Sequence, residues 1–238
     1  DVERSRGLGD VYKRQIMAHA LAQIAQIGSG KMDTRKEEER AELHRTIWKI
    51  ADDLRGSVDG WDFKAYVLCT MFYRYISENL CDYINKDEHE SEGGDPDFDY
   101  AKISDEDAEP LRSEMISEKG FFILPSELFC NVLKNAPQDS NLNETLSRVF
   151  RNIEASSQGT DSSGDFKGLF SDYDVNNIKL ADTVEGRNKR FVKLLQVISE
   201  MKLGSVNNNV IEAFGDAYEY LMGLYASNAV SYTHLTLP

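Results

Sequence analysis

One stretch of the sequence, residues 61–84, constrains the fold more than any other part of the chain. Its middle, residues 65–76, is apolar around nearly the whole circumference of a helix instead of along one stripe. A helix with that pattern has to be covered by neighbours on all sides. The sequence therefore predicts a central buried helix that is enclosed by other helices.

The same stretch is rich in aromatic side chains, and these allow two interpretations. Bases of a single-stranded nucleic acid stack on aromatic rings, whereas a protein core packs such rings against aliphatic neighbours. Helical spacing and the apolar residues between the rings favour core packing. The aromatic residues concerned are Trp61, Phe63, Tyr66, Phe72, Tyr73 and Tyr75.

Apolar residues at helical spacing predict further helices on both sides of the central one. A stripe from Leu43 to Leu54 forms the first of them and ends at Gly56. Pro125 fits the first turn of a helix that runs through Leu133. Three more helices are predicted over residues 141–155 (with Asn141 as the cap), 190–201 and 210–225.

Three segments between the predicted helices lack that pattern. Residues 85–110 hold eleven carboxylates, two glycines and two prolines, which predicts an acidic connector with at most short helical pieces. The apolar run from Phe121 to Leu124 is expected to be a strand or an extended packed segment. Residues 156–164 have the composition of a flexible loop. The fold class that follows is all-α, with roughly seven to nine helices.

The charge balance restricts the partners that the free surface can attract. The formal net charge is −14, whereas a dedicated nucleic-acid binder is usually basic. Contact with DNA would therefore need a local patch or a partner subunit. The one dense cationic cluster, Arg187, Lys189, Arg190 and Lys193, could contact DNA phosphate or a partner protein. A solvated helix face is an equal alternative.

The cysteines and the hydropathy pattern indicate a protein of the reducing cytoplasm. Cys69, Cys81 and Cys130 are an odd set without paired spacing, and their apolar neighbours predict buried thiols. The longest apolar run, residues 65–73, is far shorter than the roughly 18 residues that span a membrane. We therefore expect a cytoplasmic protein without a membrane anchor.

Three motif fragments fall short of a metal or phosphate site. One has the spacing of a calcium-binding loop, but Tyr100 stands where that loop needs glycine, so a solvated acidic loop is favoured. Its carboxylates are Asp95, Asp97, Asp99 and Glu106. Residues 28–31 resemble part of a phosphate-binding loop without its flanking residues, and Cys81 and His89 lack a second pair for zinc. The sequence assigns no metal or cofactor to this chain.

Five blocks of sequence carry a family resemblance. They are TIWKIADDLRGSVDGWDFKAYVLCTMFYRYISENL at 46–80, GFFILPSELF at 120–129, LNETLSRVFRNIEA at 142–155, DFKGLF at 165–170 and AFGDAYEYLMGLYASNA at 213–229. In this order, the blocks are similar to the modification subunit of type I restriction-modification systems. The resemblance covers nearly all of residues 32–229 and implies the multi-helix N-terminal domain of that DNA methyltransferase subunit.

The resemblance implies that the chemistry lies elsewhere in the parent protein. In the family, the helical domain precedes a Rossmann-like domain that binds S-adenosylmethionine and methylates a flipped adenine through an Asn-Pro-Pro-Phe motif. None of the five prolines here follows an asparagine, and no two are adjacent, so no catalytic or cofactor-binding residue is assigned. The implied partners are a specificity subunit, a second modification subunit, a restriction subunit and DNA held by the complex.

The two ends of the chain differ from the rest. Residues 1–15 have no periodicity and residues 230–238 break the resemblance, so we expect both to be translated adapter sequence. Residues 1–31 then form a non-native or linker leader, with the native start at Met17 or Met32. Residues 32–229 form the helical domain, and the catalytic domain is expected to be absent.

Two functions remain open. The leading hypothesis is an accessory module of an adenine-specific DNA methyltransferase, which serves in subunit assembly and closure around DNA and is inactive alone. The alternative is a stand-alone helical protein-interaction module, which would fit the acidic composition.

Overall fold

Every regular element in the described part of the chain is a helix. The computed structural model describes residues 44–45, 60–160 and 163–201, and their side chains except those of residues 60–64 and 165. The α-helices are α1 Gly60–Glu90, α2 Asp105–Ala108, α3 Arg112–Lys119, α4 Phe129–Asn135, α5 Leu142–Ser156, α6 Ser163–Phe166 and α7 Val184–Glu200. Single 3-10 turns lie at Tyr100–Lys102, Glu109–Leu111, Pro125–Glu127 and Ala136–Gln138. The all-α prediction is confirmed for these ranges.

Helix α1 is the centre of the domain, as the sequence predicts. Helices α4 and α7 pack against it, and four of its aromatic side chains lie in the core, not at a surface where bases could stack. The buried ones are Tyr66, Phe72, Tyr73 and Tyr75. Core packing is thus confirmed for these four, while the side chains of Trp61 and Phe63 lie outside the described residues.

Aromatic contacts join α1 to the later elements. Phe150 of α5 stacks on Phe170 with ring centroids 4.3 Å apart, and Tyr173 meets Tyr66 of α1 edge-to-face at 4.9 Å. Tyr173 also stacks on Phe191 of α7 at 5.6 Å. Each such pair adds about 1 kcal/mol beyond the apolar area that it buries, so the turns that carry Phe170 and Tyr173 are part of the core.

The predicted end of α1 is wrong. The helix continues to Glu90 instead of ending near residue 84, because the polar residues that follow are acceptable on an exposed helix. The chain reverses only around Gly93, whose φ of 84° is in the left-handed region that glycine tolerates. The remainder of the acidic connector matches the prediction, since it contains only short helical pieces.

The apolar run after α3 is extended and buried. Gly120 ends α3 with a φ of 79°, and Phe121 to Ile123 are then at most 2 % exposed without forming a strand. Of the two predictions for the run from Phe121 to Leu124, the extended packed segment is confirmed.

The side chain of Ser156 pairs with the backbone of this extended segment, as a neighbouring strand would do in a sheet. The backbone N–H of Phe122 donates to Ser156 Oγ at 2.9 Å, and that hydroxyl donates to the carbonyl of Ile153 at 2.7 Å. Ser156 and Ser157 are both buried. The prediction of a flexible loop over residues 156–164 is therefore wrong at its beginning, because the first serines satisfy buried backbone groups.

Two helix N-termini are completed by side chains from other helices. Pro125 starts a 3-10 turn, and α4 itself begins at Phe129, whose N–H donates to Ser77 Oγ of α1 at 3.1 Å. Asn141 precedes α5 as predicted but makes no side-chain capping bond. Instead, Asn188 Oδ1 of α7 accepts from the N–H of Asn143 at 3.0 Å.

Helix α7 is fixed at both ends. It begins at Val184, earlier than the predicted residue 190, because Thr183 Oγ1 accepts from the N–H of Gly186 at 3.1 Å. At its other end, Arg74 of α1 donates to the carbonyls of Ile198 at 2.6 Å and Met201 at 2.8 Å. We call Ser77, Asn188 and Arg74 the interhelical caps.

The prediction of three buried thiols is correct for Cys69 alone. Cys81 is half-buried and Cys130 is exposed. Cys130 is the second residue of α4, and the neighbouring Phe129 takes the buried side of that helix. Apolar neighbours in sequence therefore did not imply burial of Cys130.

Several predictions concern residues outside the described ranges. These are the helix over residues 210–225, the helix over residues 43–54 apart from the described helical residues 44–45, the leader 1–31 with its phosphate-loop-like residues 28–31, and the terminal segment 230–238. Within the described ranges, no helix is both long enough and apolar enough to cross a membrane.

Candidate interaction surface

The cationic cluster that the sequence singles out lies on α7, but its members do not share one face. Lys189 and Lys193 are exposed and four residues apart, which places them on the same side of the helix. Arg190 is partly buried beside them. Arg187 is only 8 % exposed, so the structure divides the predicted cluster into an exposed part and a buried residue.

Arg187 holds the loop before α7 in place. It lies one turn before Phe191 and shares the buried side of the helix with it. Its Nη1 donates to the carbonyl of Ala181 at 3.0 Å, while its Nε is buried without a hydrogen-bond partner. The structure thus separates Arg187 from the other three cations, because its helix position directs the guanidinium into the protein, and its contact with DNA or a partner stays a prediction.

The exposed part of the cluster is the α7 basic edge, which we define as Lys189, Arg190 and Lys193. Lys189 Nζ lies 2.7 Å from Glu185 Oε1, and both side chains are at least 75 % exposed. The hydrogen bond from Lys189 lowers the pKa of the Glu185 carboxyl. An exposed pair of this kind contributes little to stability, so Lys189 can exchange Glu185 for another anion at low cost.

Two exposed apolar residues lie before and at the start of α7, and sequence patterns did not single them out. Ile178 is 73 % exposed and Val184 is 42 % exposed, and both belong to the chain segment that enters α7. Scattered apolar residues are common on protein surfaces.

The acidic connector uses its carboxylates for local contacts. Asp99 Oδ1 accepts from the N–H of Ala101 at 3.0 Å, its Oδ2 lies 3.0 Å from Lys102 Nζ, and Lys102 is the largest cause of the lowered Asp99 pKa. Asp95 Oδ1 accepts from the N–H of Asp97 at 2.9 Å. Among the described residues, no group of three or more His, Cys, Asp or Glu side chains is placed to hold a metal ion.

A buried carboxylate that the sequence did not reveal joins three elements. Glu127 is 4 % exposed, and its Oε1 accepts from Asn152 Nδ2 of α5 at 2.7 Å and lies 3.5 Å from Arg148 Nε. Its backbone carbonyl accepts from the hydroxyl of Tyr73 in α1 at 2.6 Å. Burial raises the pKa of the Glu127 carboxyl. These contacts have a structural purpose, because they tie the 3-10 turn before α4 to α1 and α5.

The buried polar side chains thus serve interhelical contacts, while the charged surface carries a basic edge and an acidic connector. Such a molecule is an all-helical domain held together by interhelical polar contacts. The sequence matches the family described as HsdM N-terminal domain over residues 43–198. The chain belongs to this family, and the resemblance found in the sequence is confirmed.

Similar proteins support the same assignment. The chain is 45% identical over 205 residues to the type I restriction enzyme MpnII methylase subunit of Mycoplasma pneumoniae, an alignment that covers 83% of this chain and 37% of that protein. It is also similar to the crystal structure of the type I restriction-modification system methyltransferase subunit from Streptococcus thermophilus. That similarity has 25% identity and a TM-score of 0.56, over 79% of this chain and 39% of the other. The chain thus spans less than half the length of these relatives.

Proposed function

We propose that this chain is the N-terminal part of the modification subunit of a type I restriction-modification enzyme, an adenine-specific DNA methyltransferase. The observation that carries the proposal is the family match over residues 43–198, which includes the helices around α1. A relative named as a methylase subunit supports it at 45% identity. In this role the domain packs on the catalytic domain, meets its counterpart in a second modification subunit and helps to close the complex around DNA.

Methyl transfer belongs, in this proposal, to the part of the parent that lies beyond this chain. S-adenosylmethionine would supply the methyl group there. The 238 residues contain no Asn-Pro-Pro sequence, and the described ranges have no strand from which a glycine-rich cofactor turn could start. We therefore assign no catalytic step to any residue here, and we infer that the chain alone neither binds the cofactor nor methylates DNA.

The proposed partners are the specificity subunit, a second modification subunit and the restriction subunit of the same system, in the cytoplasm of a bacterial or archaeal cell. The α7 basic edge is the surface that we assign to DNA phosphate or to a partner subunit. Its support is local charge, because a domain with net charge −14 attracts a polyanion only where cations are concentrated.

A chimera tests the assembly role. Residues 43–198 of this chain replace the matching residues of the Mycoplasma methylase subunit, which is co-expressed with its specificity subunit. We expect a complex that transfers labelled methyl groups to DNA, while a chimera with Tyr73→Asp in the core should fail to assemble. A folded chimera that stays alone in size-exclusion chromatography would contradict the proposal and favour the stand-alone interaction module.

Calorimetry tests the inactivity of the chain by itself. S-adenosylmethionine titrated into the 238-residue chain should give no binding heat, whereas the complete Mycoplasma subunit serves as the positive control. Binding in the micromolar range by the chain alone would overturn this part of the proposal.

A further inference from the structure

Two cysteines from different helices lie beside the same short segment of backbone. Cys81 is on α1, one turn after Ser77, and Cys130 directly follows Phe129 in α4. The hydrogen bond of 3.1 Å between the Phe129 N–H and Ser77 Oγ holds the start of α4 against α1 at this level. This bond therefore brings the helix turn that carries Cys81 close to the start of α4, which carries Cys130.

The 3-10 turn Tyr100–Lys102 connects the two positions. Asn85 Nδ2 donates to Cys81 Sγ at 3.6 Å, and Asn85 Oδ1 accepts from the N–H of Tyr100 at 2.7 Å. The carbonyl of Ala101 accepts from Nδ2 of Asn131, the residue after Cys130, at 2.7 Å. Burial is the main cause that raises the pKa of Cys81 to about 11, and the neighbouring Cys130 is the next.

The two thiols differ in access, and the third cysteine is separate from them. Cys130 is exposed and Cys81 is half-buried, so a reagent in solution meets Cys130 first. Cys69 is 6 % exposed, and its thiol contacts the carbonyl of Leu169 at 3.7 Å. An exposed thiol with a second, more protected thiol beside it is the arrangement that thiol–disulfide exchange requires.

We propose that Cys81 and Cys130 are an exchange pair that a low-molecular-weight disulfide, such as glutathione disulfide, converts into a disulfide between α1 and α4. The Cys130 thiol loses its proton, and its sulfur attacks one sulfur of glutathione disulfide. This forms a mixed disulfide and releases one glutathione, which takes up the proton. Cys81 then loses its proton, attacks the sulfur of Cys130 and releases the second glutathione. Two protein thiols are oxidised and one glutathione disulfide is reduced.

The surroundings of the pair determine its rate. Burial is the first cause of the raised pKa at both thiols, and Asp99 raises both further, while backbone N–H groups of Cys130 and Asn131 oppose the shift at Cys130. Both thiols are thus mainly protonated at neutral pH, and the thiolate is the attacking form. The exchange should be slow near pH 7 and should accelerate as pH rises. The pair responds to sustained oxidation and not to a brief pulse.

Mass spectrometry of the reduced 238-residue chain, incubated with glutathione disulfide and quenched in acid, tests the proposal. The wild-type chain should lose two hydrogens, and peptide mapping should join Cys81 to Cys130. Cys81→Ser should stop with one glutathione bound to Cys130. Cys130→Ser should gain no glutathione at Cys81 on the same time scale. The oxidised wild type should also melt at a higher temperature than the reduced protein, because the new bond restricts the unfolded chain.

Two results would overturn the proposal. One is a wild-type chain that accumulates the same mixed disulfide as Cys81→Ser, which would show that the second thiol cannot reach the first. The other is a cross-link through Cys69. Circular dichroism of each variant before oxidation ensures that only folded chains are compared, and the peptide map of the wild type decides the matter without any substitution.

Discussion

At the level of single residues, the buried carboxylate of Glu127 makes the stability of the domain depend on pH. Burial is the largest cause of its raised pKa, and the hydrogen bond from Asn152 and the charge of Arg148 only partly oppose it. The folded state therefore keeps this proton to a higher pH than the unfolded state does. The stability contribution of the group is fully present below the unfolded pKa and is lost as pH rises through the folded pKa.

Glu127→Gln should remove this loss. The amide oxygen still accepts from Asn152, and no charge has to be buried, so the difference in unfolding free energy (variant minus wild type) should increase as pH rises from about 4 to about 7. Urea unfolding at several pH values measures it. Glu144→Gln, at an exposed position of α5, corrects for the loss of one charge. A difference that decreases over the same range would contradict the assignment.

Arg74 is the residue on which the end of α7 depends most directly. Its guanidinium binds two carbonyls of α7 and also Glu78 at 2.6 Å. Arg74→Ala should cost about 2–3 kcal/mol of unfolding free energy, because two hydrogen bonds from a charged donor to carbonyls at the end of α7 are lost. Glu78→Ala removes only the more exposed pair and should cost at most about 0.5 kcal/mol. Equal effects of the two variants in urea unfolding would contradict the capping role.

Neither role could be predicted from the sequence. An arginine in an apolar helix usually extends to solvent, so the sequence suggests no partner for Arg74. Its partners lie 124 and 127 residues away along the chain. Glu127 follows Pro125 and Ser126 in what looks like an ordinary helix start. A single sequence shows which residues are polar, but the identity of a distant partner decides whether they are buried.

At the level of the elements, close packing at the first turn of α7 is tested at Gly186. A Cβ built there would lie 2.7 Å from the Cβ of Ala181 and 3.1 Å from Oγ1 of Thr183. Gly186→Ala should therefore destabilise the domain by about 1–2 kcal/mol, although alanine favours helices by about 1 kcal/mol over glycine. Gly164→Ala is the matched control, since nothing lies within 4 Å of its Cβ. Thermal unfolding in which Gly186→Ala is the more stable variant would contradict the packing.

Helix positions were more predictable than helix ends. The stripe on α5 and the apolar surface of α1 are local patterns, and the helices are found where those patterns lie. Helix ends depend on the hydrogen-bond partners of the free backbone N–H and C=O groups in the terminal turns. Here those partners are the side chains of Ser77 and Asn188, which belong to other helices. The start of α7 is the exception. It could have been predicted from the sequence, because Thr183, two residues before Glu185, is a local capping signal.

At the level of the whole molecule, the fold class and the family were predictable, whereas the candidate surface was predictable only in part. The fold class was predictable because a helix that is apolar all round has to be enclosed by other helices. The family was predictable because five blocks of sequence, in order, carry the resemblance. The cationic cluster was found by composition. Its division into a basic edge and the buried Arg187 depends on which side of α7 meets the core, and composition does not contain that information.

The basic edge is tested in the complete complex. Lys189→Gln with Lys193→Gln, placed in the chimera, should weaken DNA binding at low salt and reduce the slope of log affinity against log salt by up to about 2, or about 0.9 for each phosphate contact. Lys134→Gln with Lys167→Gln removes two exposed lysines elsewhere and is the matched control. If both pairs change the slope equally, the effect is one of overall charge, and an unchanged slope would assign the edge to a protein partner.

The interhelical caps have a consequence for how the domain comes apart. A helix whose end is closed by Ser77, Asn188 or Arg74 loses that closure as soon as its neighbour departs, and a short helix in water is marginal without such support. Local helix and long-range packing should therefore disappear together. Far-ultraviolet and near-ultraviolet circular dichroism should report one shared transition, and peptides that correspond to α4 or α5 alone should be largely unstructured. The domain is then a single cooperative unit. These helices do not form first and assemble afterwards, because a side chain of one helix caps the end of another.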